Sequence, residues 1–228
     1  MDKGVTLEVA GEAIRLLGAR AAWWPARRWL WVSDVHLGKS EVFRRAGVPL
    51  PLGDTADDLA RLAAVVRSTG AERLLLLGDL VHHARGLSDE VVEATARWRA
   101  EVDAEVTLVR GNHDASVHAM PPAWRIEDAG GCLREGPFAF VHEATPGGDR
   151  FAWGGHVHPV FRLEFGPEVL RPPCFWLGRE HAILPSFGAF TGGHRVHAAP
   201  GDRVVVCVDG EAIDVTGVPI TRGPHWKL

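Results

Sequence analysis

The sequence predicts an α/β fold in which two β-sheets pack face to face and helices cover the outside of a parallel section, all within one domain, residues 1–228. Three observations predict it. From Trp29 to Val109 apolar strands alternate with helix-length periodic segments, a pattern that needs crossover connections and parallel pairing. After residue 130 the pattern changes to short strands punctuated by Gly147-Gly148, Gly154-Gly155 and Gly192-Gly193. No linker or internal repeat separates the halves, and 228 residues are enough to bury one substantial core.

The elements follow in order. Val5, Leu7 and Val9 alternate with polar residues up to a turn at Ala10-Gly11, and Ile14 and Leu16 continue beyond it, which predicts a β-hairpin. Ala22 to Trp24 and Trp29 to Ser33 form a second pair around Pro25 to Arg28. The strands Trp29 to Ser33, Arg73 to Leu77 and Val106 to Val109 alternate with two helices. The first, Thr55 to Ser68, places Leu59, Leu62, Ala63 and Val66 at i, i+3, i+4 and i+7 behind a capping Asp54 or Thr55. The second starts at Ser88 as N-cap and runs through Val91, Thr95, Trp98 and Val102. The later strands are Phe138 to His142, Phe151 to Trp153, Phe161 to Phe165, Ala182 to Leu184 and Arg203 to Val208.

Composition narrows the function. At 46% hydrophobic and 24% charged residues, the chain is neither disordered nor collagenous. No apolar run approaches the roughly 18 residues of a membrane span, and the first residues lack a basic start followed by an apolar stretch, so a cytoplasmic location without membrane contact is expected. Cys132, Cys174 and Cys207 are odd in number and far apart, which fits reduced thiols packed as small apolar residues. A net charge of −4 excludes a protein that coats nucleic acid by charge alone. It leaves a nuclease open, because bound cations reverse the local sign of a carboxylate-rich site. The 12 histidines make their own positions the central question.

Five clusters fall at or just past strand ends, where open α/β sheets bind ligands: Asp34-Val35-His36, Gly78-Asp79, Gly111-Asn112-His113-Asp114, His142, and Gly155-His156-Val157-His158. Singly, Asp-x-His can be a capped turn, Gly-Asp a loop opener, and His142 a core histidine. Jointly they deliver carboxylate, amide oxygen and imidazole, with no thiolate, at successive strand ends. That donor set suits two first-row divalent cations and argues against an iron–sulfur cluster or a structural zinc knot. Seven ligands give each cation four protein donors only if one carboxylate bridges, and Asp79 lies in the middle of the set.

At these residues the sequence resembles the calcineurin-like metallophosphoesterase superfamily, whose motifs D-x-H, G-D, G-N-H-D, H and G-H-x-H occur here in order from Asp34 to His158. The resemblance implies a four-layer α/β/β/α sandwich. It also implies that Asp34, His36, Asp79 and His158 hold one metal and Asp79, Asn112, His142 and His156 the other. The metal expected is manganese, with zinc, iron, cobalt or nickel as alternatives. The flanks Val35 to Lys39, Phe43 to Pro49 with Gly53-Asp54-Thr55, and Leu184 to Gly193 look like the bacterial ligase-associated DNA damage response endonuclease family, PdeM. That likeness implies DNA as substrate, single-stranded or at ends, and a functional association with an ATP-dependent DNA ligase and helicase.

Two cations holding a water between them would supply a hydroxide nucleophile for phosphodiester hydrolysis. His113, next to a ligand, is the candidate general acid, and Asp114 is the candidate to orient that imidazole or a ligand histidine. His82 follows Asp79 by three residues, as in double-strand-break repair nucleases, and is a second catalytic candidate. Lys39, Arg44 and Arg45 are candidates to grip flanking phosphates, and arginine, the better bidentate partner, supplies all the basic residues except Lys3, Lys39 and Lys227. A nucleotide phosphodiesterase or phosphatase would use the same catalytic residues. A non-catalytic scaffold would have no use for His113.

Overall fold

In a computed structural model, residues 3–50, 54–165 and 168–217 are described. Gly53, part of one flank noted above, lies outside them. The first sheet holds β1 (Val5–Val9), β2 (Glu12–Leu17), β3 (Ala21–Trp24), β4 (Trp29–Val32), β5 (Arg73–Leu77), β6 (Glu105–Val109) and β7 (Glu127–Asp128), with spatial order equal to chain order. Pairing is antiparallel from β1 to β4 and parallel from β4 to β7. The short helix α1 (Lys39–Arg45) and the helix α2 (Asp54–Thr69) follow β4, and α3 (Asp89–Glu101) follows β5.

The described residues that follow build a second sheet and two ribbons: β8 (Cys132–Glu135), β9 (Phe138–Val141), β10 (Phe151–Gly154), β11 (Pro159–Val160), β12 (Leu163–Phe165), β13 (Glu168–Leu170), β14 (Cys174–Leu177), β15 (His181–Ile183), β16 (His194–Arg195), β17 (Arg203–Val208) and β18 (Glu211–Asp214). The sheet order is β18-β17-β14-β15-β10-β9-β8, and its centre, β9, β10 and β15, is parallel. The strand expected from Phe161 is shorter and belongs to the detached β12–β13 hairpin.

Strand alternation explains the layers. Leu30, Val32, Leu74 and Leu76 face Leu59, Leu62, Val66, Val91 and Trp98 of the helices, while Trp31, Leu75 and Leu77 face the second sheet. With both faces covered, β4 and β5 read as unbroken apolar runs. The space between the sheets is filled by aromatic rings: Trp31 meets Trp153 at 5.1 Å and Phe140 at 5.2 Å, and Trp24 meets Phe138 at 4.9 Å, all edge to face. The outer face of the second sheet packs Val204 and Val206 on Phe161 and Val196. Among the described residues this fourth layer consists of the ribbons and loops and contains no helix.

Ser88 caps α3 as expected, accepting the Val91 N–H at 3.4 Å. Asp54 and Thr55 do not flank α2 as caps, because both are already helical. Their side chains reach the start of α1 instead, Asp54 accepting from the Ser40 hydroxyl at 2.6 Å and Thr55 from the Gly38 N–H at 3.3 Å.

Trp31 is fully buried, yet its indole N–H has no partner among the described residues. Its value is therefore shape and area. Trp31→Ala should lower unfolding free energy by about 3–5 kcal/mol, and Trp31→Phe by less than half as much, in denaturant titrations. Equal losses would show that the indole nitrogen matters after all.

Candidate metal centre

The C-terminal ends of β4, β5, β6, β9 and β10 open on one edge of the sandwich. Loops 34–37 and 78–82 run side by side there, with Asp34 N–H donating to the Gly78 carbonyl at 3.1 Å, His36 N–H to the Asp79 carbonyl at 2.9 Å and Leu37 N–H to the Leu80 carbonyl at 2.8 Å. This ladder holds an unfavourable backbone. Asp34, His36, Asp79, His156 and His158 all have positive φ, between 50° and 68°. Each such L-residue costs roughly 1 kcal/mol or more, and the neighbouring strands must hold it in place. Two motif glycines have a direct reason. A Cβ at Gly78 would lie 2.1 Å from His142 Nδ1, and one at Gly155 would lie 2.2 Å from Asp34 Oδ2.

The side chains converge in two groups. In the first, Asp34, His36 and His158 point together, with His158 Nε2 3.2 Å from Asp34 Oδ1 and 3.1 Å from His36 Nε2. In the second, His142 Nε2 lies 3.3 Å from Asp79 Oδ2, 3.1 Å from Asn112 Oδ1 and 3.2 Å from His156 Nδ1. Asp79 Oδ2 is also 4.0 Å from His36 Nε2, so this oxygen faces both groups. Asp34 and Asp79 are buried, and their outer positions are fixed by donors: Ser33 Oγ at 2.6 Å and His156 N–H at 3.0 Å for Asp34, His113 N–H at 2.9 Å for Asp79. His142 donates Nδ1–H to the Leu77 carbonyl at 3.0 Å and His158 to the Gly192 carbonyl at 3.2 Å, which turns each Nε2 inward. Nitrogen and oxygen acceptors crowded this way, with no thiolate, fit a divalent cation in each group. Cys174 and Cys207 lie in the hydrophobic clusters.

Electrostatics agrees with donor use. Burial drives His36 down to about 3, against the pull of Asp34 and Asp79, so its ring is neutral and able to ligate. Burial also opposes charge on His142, but the hydrogen bond and charge of Asp79 win and raise it to about 9. Burial would raise Asp79, and His142 more than cancels that.

The other expected site residues are placed as follows. His113 donates Nδ1–H to the His82 carbonyl at 2.7 Å and turns Nε2 to within 3.9 Å of Asp79 Oδ2. The His82 ring stacks on His113 at 4.7 Å, and its Nδ1 lies 3.4 Å from His36 Nδ1. Burial, with His113 and Lys39 nearby, lowers His82 to about 4, so it is a neutral acceptor behind a donor histidine. Asp114 accepts from backbone and from no imidazole among the described residues. It is fully buried and accepts the N–H groups of Val81 at 2.9 Å and Gly111 at 2.9 Å, pinning the β5 loop to the β6 loop. Lys39 is half-buried beside His36, and burial lowers its pKa against the attraction of Asp34 and Asp79. Arg44 pairs with Glu41 and lines a cavity with Asp54 and Glu90 that contains none of the donors, because the α1 turn carries it toward α2 and α3. Arg45 is exposed on the last turn of α1.

Two features escape single-residue reasoning. The segment 184–193 is a strap behind Asp34: Phe187 N–H donates to the Ser33 carbonyl at 2.8 Å, and Ser186 Oγ to the Asp34 carbonyl at 2.8 Å. Beside the donors, Phe43 and Phe190 are 38% and 41% exposed and meet edge to face at 5.8 Å, with Phe43 stacked over His82 at 6.4 Å. The strap's serine and glycine signature was visible; its contact with Phe43 is purely tertiary.

A protonated His142 predicts how metal uptake depends on pH. Binding must displace that proton, so apparent affinity should rise with pH and level off above about 9. Titration calorimetry at pH 7 in buffers of differing ionisation heat should show proton release. A buffer-independent heat would mean that His142 is already neutral.

With this geometry established, the chain can be compared with known proteins. The calcineurin-like phosphoesterase family profile matches residues 28–188, which include every donor named above. The fold is similar to that of the nuclease MPE of Pseudomonas putida, at 33% identity and a TM-score of 0.81, over 92% of this chain and 100% of that one. An Aquifex aeolicus protein of unknown function, AQ665, is 18% identical with a TM-score of 0.39, over 57% of this chain and 78% of that one. No curated protein matches the chain. The chain belongs to the calcineurin-like phosphoesterase family and is a metal-dependent phosphoesterase.

Proposed function

We propose that this protein is a nuclease that hydrolyses phosphodiester bonds of DNA, single-stranded or at ends, with two divalent cations, manganese first among them. The observation that carries the hydrolytic reading is Asp79 Oδ2, shared between the two donor groups with His113 Nε2 3.9 Å away. The nucleic-acid reading is supported by the exposed Phe43–Phe190 edge, which offers π-faces to unpaired bases. It is supported too by the similarity to a protein named a nuclease.

Asp34, His36, Asp79 and His158 would hold one cation and Asp79, Asn112, His142 and His156 the other. Bound there, the cations supply an activated water and neutralise charge on the phosphoryl oxygens. The chain's own groups do the rest. His113, held by the His82 carbonyl, presents Nε2 to the leaving oxygen and delivers a proton to it. His82 accepts from His36 Nδ1 and fixes the inward aim of its Nε2. Lys39, beside two buried carboxylates, adds positive charge where the phosphate enters. Arg45 is free on the surface to meet a more distant phosphate. A role in DNA repair, alongside an ATP-dependent ligase and helicase, follows from the flanking resemblance.

The direct test supplies metal-stripped protein with each cation in turn and offers DNA and RNA oligonucleotides against free nucleotides. Cleavage of nucleotides alone would overturn the nuclease reading. His113→Ala should keep its metals by elemental analysis but lose about 10²–10⁴-fold in kcat on single-stranded DNA. Unaltered turnover would remove His113 from the mechanism. Phe43→Ala should raise KM for single-stranded DNA roughly 5- to 150-fold, from the ~1–3 kcal/mol of one base stack. Its KM for a small chromogenic diester should change far less, and parallel changes would refute a stacking role.

A further inference from the structure

His158 has a second face. The ring that turns Nε2 into the first donor group also forms a wall of a cavity of about 350 Å³, lined by Arg20, Arg171, Ser186 and Thr191 among others. That volume is within the range of small-ligand sites. None of its described lining residues is acidic. The contrast with the larger cavity of about 650 Å³ is informative: Arg150, Arg179 and Arg203 line it, but so do Glu8, Asp149 and Glu180, which balance the charge.

Arg20 is the unusual member. It follows β2 in a tight turn at φ 66° and is half-buried. Among the described residues its side chain has one hydrogen-bond acceptor, the Ser186 carbonyl, at a long 3.4 Å. Among the described residues no carboxylate pairs with it, whereas Arg61 pairs with Asp58 at 2.6 Å, Arg110 with Asp128 at 2.6 Å and Arg203 with Asp214 at 2.6 Å. Asp58, a carboxylate whose charge reaches Arg20, is committed to Arg61 and to the Ala189 N–H. Burial and the charge of Arg61 both work against the Arg20 cation. A guanidinium held in place at a cavity wall, with most of its N–H donors not used by protein acceptors among the described residues, is available to an anion. Arg171 is exposed at the mouth of the same cavity. The hydroxyls of Ser186 and Thr191 already donate to the Asp34 and Gly188 carbonyls, which leaves the two guanidiniums as the anion's main partners.

We propose that the cavity walled by His158 is a subsite for a phosphate group of the substrate strand next to the scissile one, gripped by Arg20 and Arg171. Planar guanidinium forks match phosphate oxygens in pairs. The shared wall sets the subsite directly beside the first donor group, while Phe43 and His82 flank His36 elsewhere on the rim. The substrate part of this assignment rests on the nuclease reading; the anion site itself does not.

Two measurements on Arg171→Glu, Arg20→Lys and Arg20→Gln test it, with Arg179→Glu in the larger cavity as control. The first is the ratio of kcat/KM on a single-stranded oligonucleotide to that on a dinucleoside monophosphate, which has no neighbouring phosphate. Arg171→Glu and Arg20→Gln should lower this ratio at least tenfold and flatten the log–log salt dependence on the oligonucleotide by about 0.7 per lost contact. The second is the rise in Tm of the metal-free protein with inorganic phosphate, present in the wild type and reduced in these variants. The control should move neither. Oligonucleotides with a 5′-phosphate or a 5′-hydroxyl separate the sources: losses on both assign an internal phosphodiester, and losses on the phosphorylated one alone assign a terminal phosphate. A wild type that cuts no nucleic acid, but loses its phosphate-induced Tm rise in the variants, would keep the subsite and sink the nuclease reading. Active variants with unchanged ratio, salt slope and Tm response would overturn the subsite. Should Arg20→Gln fold poorly, Arg171→Glu and Arg20→Lys still decide between these outcomes.

Discussion

Two sheets laid face to face are held apart by their side chains, and backbone bridges lock their edges in register. At the donor edge the seam is the bridge between Ser33 and Ser186, with Phe187 N–H on the Ser33 carbonyl and Gly188 N–H on the Asp34 carbonyl, while a second bridge pairs Lys3 with Glu211. The seam joins the end of β4 in one sheet to the segment after β15 in the other. Donors from both sheets then face the same space: Asp34, His36, Asp79 and Asn112 from the first, His142, His156 and His158 from the second. Without the seam, an aromatic interface of edge-to-face rings would still hold the layers together, but small slips between them would separate Asp34 from His158.

The site concentrates unfavourable features that the surroundings offset. Five donors in left-handed backbone, two buried carboxylates and a cluster of imidazoles oppose folding locally. Against them stand the loop ladder between residues 34–37 and 78–82 and the buried Asp114, which takes one N–H from each of two loops. Asp114 thus acts on geometry by holding main chain. A carboxylate placed against a loop's N–H groups shapes every donor that the loop carries.

Much of this was legible in the sequence because it follows from local rules. The apolar runs Trp29 to Ser33 and Arg73 to Leu77 announced buried parallel strands, and the spacing of Leu59, Leu62, Ala63 and Val66 announced α2. The donor motifs were legible because each sits where a parallel strand ends, and strand ends in such sheets share an edge. What stayed hidden depends on residues distant in the chain. Asp54 and Thr55 look like caps and instead bind α1. Arg44 follows Lys39 by little more than one turn and yet faces α2 and α3. Arg20, between two hairpin strands, gives no sign that it ends beside His158. On the outer face of the second sheet the described residues place ribbons where the resemblance implied helices, and the pairing of β11 with the distant β16 is one that no local pattern announces.

The seam also bears on how the site comes into being. Ser33 and Ser186 are separated by most of the chain, and a contact of such long range must repay the entropy of closing that loop. A chain emerging from the ribosome exposes Asp34 and His36 long before His156, His158 and the strap exist to complete the set. Asp34 and His158, which share the first donor group, are held together only once the strap has closed behind Asp34, so that group is complete only in the finished fold.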